Sequence, residues 1–210
     1  MSEARFAEIV TSVAEIRPIV GEPTSLSVNK TVTRLDEHCR AFIAQSPFLL
    51  IASCDAHGRM DVSPKGDPPG FVQVLDEQTL AIPDRPGNRR IDTFGNLLQN
   101  PRIGLLFLVP GYQETLRING SALIVRDLSL RTQMATRGKV PEFALVVSVE
   151  EAFFHCAKCI IRSQLWDEAT QVDSDTLPSL ARILVDHGKL TQSVEQTQAL
   201  IDESYSNRLY

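Results

Sequence analysis

Phe48-Leu49-Leu50-Ile51-Ala52-Ser53-Cys54 is a compact apolar run, Asp55-Ala56-His57-Gly58 a tight turn, and Arg59-Met60-Asp61-Val62-Ser63-Pro64-Lys65-Gly66 an alternating run. Two such runs joined by so short a turn read as a β-hairpin. Successive strand residues point to opposite faces, so Asp61, Ser63 and Lys65 share one side and Met60 and Val62 the other. His57 is then a turn residue.

Outward from this hairpin the same pattern recurs. Phe71 to Leu75 and Thr79 to Pro83 read as strands around the turn Asp76-Glu77-Gln78. Arg102 to Val109 is strongly apolar and ends at Pro110-Gly111. Thr115 to Val125 alternates, with Thr115, Arg117 and Asn119 on one side and Leu116 and Ile118 on the other. Phe143 to Phe154 reads as a further strand, after a helix over Leu128 to Arg137. Helical spacing marks 3–16, stopping before Pro18, and Asp36 to Gln45, with Cys39, Phe42 and Ile43 on its apolar side. Gly21 to Asn29 reads as a connecting loop. From about Ala157 the chain is mostly helical, with a polar linker at Asp173-Ser174-Asp175. Short hairpin-joined strands with helices at both ends predict a mainly β, α+β fold, an antiparallel barrel decorated by helices. The expected parts are an N-terminal helix and loop (1–35), the barrel (36–166) and a helical extension (167–210).

Composition narrows the function classes. A net charge of -5 argues against a general nucleic-acid or membrane-surface binder. No stretch approaches the roughly 20 apolar residues of a membrane span, and Glu3, Arg5 and Glu8 interrupt any secretory pattern, so a cytoplasmic protein is expected. Cys156 and Cys159 form a Cys-x-x-Cys, but Cys39 and Cys54 lie far off without His partners. No metal site is expected, and the four thiols are expected free and buried or half-buried.

The stretch Asp84-Arg85-Pro86-Gly87-Asn88-Arg89-Arg90-Ile91-Asp92 follows one strand and precedes apolar residues at helical spacing, Ile91, Phe94, Leu97 and Leu98. Asn88 reads as the N-cap of a helix whose first turn holds Arg89 and Arg90. Cations are disfavoured there by the helix dipole, and a bound phosphate would compensate. The plain alternative is a solvated arginine pair on a surface turn.

Three motifs in this order, Ser63-Pro64-Lys65-Gly66-Asp67, Arg85-Pro86-Gly87-Asn88-Arg89-Arg90 and Glu114-Thr115-Leu116-Arg117-Ile118-Asn119-Gly120, resemble those of the pyridoxamine 5'-phosphate oxidase-like flavoproteins over roughly residues 36–166. The resemblance implies an FMN-binding split barrel and an FMN-dependent oxidoreductase that passes hydride through the flavin N5 to or from a small molecule. It implies a homodimer with the cofactor at the seam, and no nucleic-acid or membrane partner. The alternatives left open are a flavin-storing protein without turnover, and the same fold holding a deazaflavin or haem.

Site residues follow from that resemblance. Arg89 and Arg90, with Asn88, would take the FMN phosphate, and Arg85 would either help them or pair with Asp84. Lys65 would reach the phosphate or the ring edge, with Asp61, Ser63 and the backbone of Val62 along the pyrimidine part. Arg117, with Thr115 and Asn119 beside it, is either a site residue or the partner of a carboxylate such as Glu114. Lys158, Arg162, Ser163 and Trp166 would reach the partner's site, although a lone Trp serves equally as an interface anchor. His155 reads as structural, and no catalytic base stands out. Phe71, Tyr112 and Trp166 are candidates for a substrate space. True pyridoxamine phosphate oxidases end in an arginine–histidine arrangement, whereas this chain ends Ser204-Tyr205-Ser206-Asn207-Arg208-Leu209-Tyr210, which argues against that substrate.

Overall fold

The inner rows of the strands carry the core. Leu49 and Ile51, Ile103, Leu105 and Phe107, Leu116 and Ile118, and Leu145 and Val147 are all buried, and Leu35, Cys39, Phe42 and Ile43 pack onto them. The structure, a computed structural model, describes residues 5–210. They fall into two compact units divided between Thr31 and Val32.

The second unit holds seven strands: β1 (Phe48–Cys54), β2 (Met60–Gly66), β3 (Gln73–Val74), β4 (Thr79–Pro83), β5 (Arg102–Leu108), β6 (Thr115–Val125) and β7 (Ala144–His155). They form one antiparallel sheet in the order β2-β1-β5-β6-β7-β4-β3, the split antiparallel barrel that the hairpin pattern predicts. β2 is an edge strand, paired to β1 alone. Helices α1 (Val13–Val20) and α2 (Ser25–Asn29) belong to the first unit. The second unit carries α3 (Glu37–Gln45), α4 (Asp92–Leu97), α5 (Leu128–Gln133), α6 (Lys158–Ser163), α7 (Leu180–Gly188) and α8 (Val194–Asn207). Among the described residues no helix is long and apolar enough to cross a membrane.

Several boundaries differ from the sequence expectation for local reasons. The first helix begins at Val13 because the Ser12 side chain accepts the Glu15 N–H, and it runs through Pro18, where the ring removes a single bond near the helix end. Thr24 caps α2 within the segment expected as loop. Only Gln73–Val74 of the Phe71 run pairs as strand, because Phe71 and Val72 turn into the core. α5 stops at Gln133, and Arg137 and Gly138, both with positive φ (46° and 75°), form a tight turn between Thr136 and Lys139, whose backbones bond each other. A short 3-10 turn, Ser174–Thr176, lies within the stretch expected as a polar linker.

β6 and β7 pair out of simple register. Asn119 opposes Glu151 while Gly120 opposes Val149, so Glu150 is the extra residue of a β-bulge. Gly120 meets the sheet so closely that a Cβ there would lie 2.0 Å from the Ser148 carbonyl oxygen. That contact is with backbone, so the strands must part to admit any side chain. Gly120→Ala is therefore expected to destabilise the fold by about 2 kcal/mol or more, read as a lower urea midpoint with an unchanged slope.

Candidate functional site

A cleft of about 1220 Å³ opens beside the sheet edge, between β2, the 84–94 segment, and helices α7 and α8. Its floor is the alternating row that the hairpin predicts. Asp61, Ser63 and Lys65 are half-buried and line it, while Met60 and Val62 lie on the other face of the strand and stand 67% and 58% exposed, Val62 still bordering the cleft. The usual apolar-in order is thus reversed on this strand. The Thr93 hydroxyl donates to Asp61 Oδ2 at 3.1 Å, Asn96 to Ser53 at 3.0 Å, and Asn100 to the Cys54 sulfur at 3.0 Å. These three bonds tether α4 and its flanking residues to the first hairpin.

The 84–91 segment forms the rim, with a conformation unlike the one expected. Arg89 and Ile91 both have positive φ (61° and 55°), so α4 begins only at Asp92 and Ile91 stands at its N-cap without a capping side chain. Asn88 accepts the Arg90 N–H at 3.0 Å, which is an Asx turn and not a helix cap. Arg90 bonds Asp92 at 2.7 Å, and Asp92 in the first turn already complements the dipole. The anion that Arg89 and Arg90 would have required as first-turn residues is therefore not demanded by the helix.

Charge is distributed unevenly over the cleft. Arg85 is held by Asp67 at 2.6 Å, with side chains only 17% and 2% exposed. Arg208 is paired with Glu203 at 2.6 Å. Lys65 and Arg89 make no salt bridge among the described residues and remain available to an incoming anion, while Arg90 is largely exposed but already paired with Asp92. Burial pushes the Asp84 carboxyl above the usual range against the pull of Lys65 and Arg85.

The remaining wall comes from helices to which the sequence pattern assigns no site residue. Leu180 and Leu184 of α7 face the cleft, as do Thr197, Leu200, Ile201, Ser204 and Tyr205 of α8. Their spacing of three and four marks one helix face, a signal present in the sequence but silent about what the face covers. Just beyond α8 the Tyr210 hydroxyl donates to Asp67 Oδ1 at 2.6 Å, and that bond raises the phenol pKa.

Eight of the fourteen candidate residues line this cleft: Asp61, Val62, Ser63, Lys65, Arg85, Asn88, Arg89 and Arg90. Six do not. Thr115 is buried opposite His155, whose Nδ1 is also buried and has no hydrogen-bond partner. Arg117 lies 5.0 Å over the Phe153 ring. Lys158 and Arg162 are exposed on α6, and Ser163 donates to the Ile160 carbonyl. The Trp166 indole donates to the Tyr112 carbonyl at 2.7 Å. Asn119 lines a separate hollow of about 610 Å³ with Ser53, Arg102 and Glu150. Phe71 belongs to the core and Tyr112 packs edge-on against Phe42, so neither faces the cleft. Cys156 and Cys159 are exposed, contrary to expectation, whereas burial pushes the Cys39 thiol up to about 12.

Comparison with known proteins adds the following. The family model described as pyridoxamine 5'-phosphate oxidase matches residues 35–156. No curated protein matches the chain. Among solved structures, HupZ from Group A Streptococcus is 20% identical, with 57% of this chain and 92% of that chain covered and a TM-score of 0.47. A Lactobacillus delbrueckii protein with a provisional assignment as pyridoxamine 5'-phosphate oxidase is 21% identical, over 58% and 95% of the two chains, with a TM-score of 0.46.

The Asp84 environment has a definite pH signature. A carboxyl whose folded pKa is raised adds stability below its unfolded value and loses it as pH rises through the folded one. Asp84→Asn is expected to remove that loss, so thermal unfolding followed from about pH 3 to 7 should show the variant gaining on the parent as pH rises.

Proposed function

We propose that this chain, which belongs to the pyridoxamine 5'-phosphate oxidase family, is an FMN-dependent oxidoreductase that acts as a homodimer on a small molecule. The observation that carries the proposal is the cleft itself, where a polar strand row meets a rim whose Lys65 and Arg89 make no ion pair among the described residues and whose Arg90, paired with Asp92, is 72% exposed. The phosphate dianion of FMN suits Arg89, Arg90 and Asn88, with Arg85 behind them at the rim. Arginine forks onto phosphate oxygens in pairs, which fixes orientation as well as charge. β2 is an edge strand, so alternate backbone N–H and C=O groups along Asp61, Val62 and Ser63 point away from β1 and suit the pyrimidine edge of the ring. Lys65 supplies a cation on the same face.

When bound, FMN supplies hydride exchange at its own N5. The residues of the chain bind it and orient it. Residues 36–166 form the binding domain in this proposal, and 167–210 an extension that walls the cleft.

What supports a homodimer is the outer face of the sheet. Phe48, Leu50 and Ala52 of β1 stand beside Pro64 and Val62 of β2 and beside Leu106 and Gly104 of β5 by register. A continuous apolar band of this kind on an antiparallel sheet suits a second copy better than water. Arg117 opposes Leu106 within that band, so it would meet the partner across the seam. Lys158, Arg162, Ser163 and Trp166 join it in the proposal as contributions to the partner's cleft.

Arg89→Ala with Arg90→Ala is expected to weaken FMN binding about a hundredfold or more, since each charged contact contributes about 1.5–3 kcal/mol. Flavin fluorescence titration measures this, with circular dichroism confirming the fold; an unchanged Kd would refute the phosphate assignment. Leu106→Glu is expected to give monomers in analytical ultracentrifugation.

A further inference from the structure

Helices α7 and α8 are attached to the sheet by little apolar burial. Among their described residues only Ala181 and Thr197 are buried. Two of their cleft-facing side chains remain open, with Leu200 58% and Tyr205 62% exposed. Segments with so few buried contacts lie at the low end of local stability. Yet the segment is fastened beyond α8. The Tyr210 hydroxyl donates to Asp67 Oδ1 at 2.6 Å, the Arg137 guanidinium stacks 4.5 Å from the Tyr210 ring, and Lys139 Nζ donates to the Tyr210 main-chain oxygen. Arg137 and Lys139 come from the tight turn after α5, and Asp67 directly follows β2, so two separate parts of the chain converge on Tyr210.

Asp67 is the hinge of the arrangement. Its carboxylate is almost fully buried and has two partners in the structure, Tyr210 on Oδ1 and the cleft residue Arg85 on Oδ2. A buried carboxylate that loses one donor depends more heavily on the other. We propose that α7 and α8 form a strap over the cleft, with Tyr210 as its catch, and that Asp67 couples the catch to Arg85 and so to the cleft's occupant. An anion that draws on Arg85 leaves Asp67 more dependent on Tyr210, so an occupied cleft is fastened more tightly. By linkage, a fastened strap holds the occupant more tightly in return. Tyr210 is then a positioning residue, acting through Asp67. The coupling rests on the FMN reading given above, whereas the catch does not.

The test is hydrogen exchange on the full chain, parent and Tyr210→Phe, with and without FMN. Loss of one hydrogen bond to a carboxylate is expected to speed exchange of the α8 amides by about tenfold or more in the variant without FMN. The β1, β5 and β6 amides should not change. FMN should slow α8 exchange in the parent and do so less in the variant, whose FMN should also dissociate faster in stopped flow. Unchanged α8 exchange in the variant without FMN would overturn the catch. Equal protection by FMN in both proteins would overturn the coupling alone. If the parent binds no FMN, the coupling falls together with the proposed function, and the exchange without FMN still decides the catch.

Discussion

Everything at the cleft depends on the inversion of β2. An edge strand is bonded on one side only, so its two faces are free to serve different surroundings. Here Asp61, Ser63 and Lys65 turn inward, where Thr93 and the 84–94 segment meet them, and Met60, Val62 and Pro64 turn outward beside Ala52 and Leu50. One seven-residue strand thereby sets both the polar floor of the cleft and the margin of the outer apolar band. Had the alternation run one residue out of phase, the cleft would be lined with apolar side chains and the outer face would carry the charges.

The electrostatics of the cleft come from positions, not from composition. The chain is acidic overall, and Asp61, Asp84 and Asp92 all reach the cleft. What leaves positive charge accessible is the division of labour among the cations. Arg85 is spent on buried Asp67 and Arg208 on Glu203, while Lys65 and Arg89 make no ion pair among the described residues. The left-handed backbone at Arg89 and Ile91 keeps the rim out of the helix, so its N–H groups are not consumed by helical bonds. Non-glycine residues in that region cost on the order of 1–3 kcal/mol each and persist only where their surroundings over-determine them.

Legibility in the sequence follows locality. The first hairpin, β4, β6 and the three buried residues of α3 stand where period and turn chemistry place them, because those signals act over a few residues. The start of α4 departs from its expected place because Asn88 has the chemistry of a helix cap, while nothing in Arg89 or Ile91 announces a positive φ. The wall from α8 is invisible in the sequence for a different reason. The bond that fastens it joins residues 143 positions apart, and no periodicity carries information over that distance. The residues of α6 and Arg117 can be named from motif likeness, yet a single chain brings none of them to the cleft.

The bulge at Glu150 has a consequence for how this chain can change over generations. Before it, Leu145, Val147 and Val149 face inward; after it, Ala152 does, so the count of two is broken once. Strand β7 therefore behaves like a ruler with an added notch. A replacement at Glu150, on the surface, disturbs little, and loss of that one position would leave Val149 and Glu151 as neighbours in plain alternation, with Ala152 still facing inward. At the bulge, and only there, this strand can shorten by one residue without turning its core row outward.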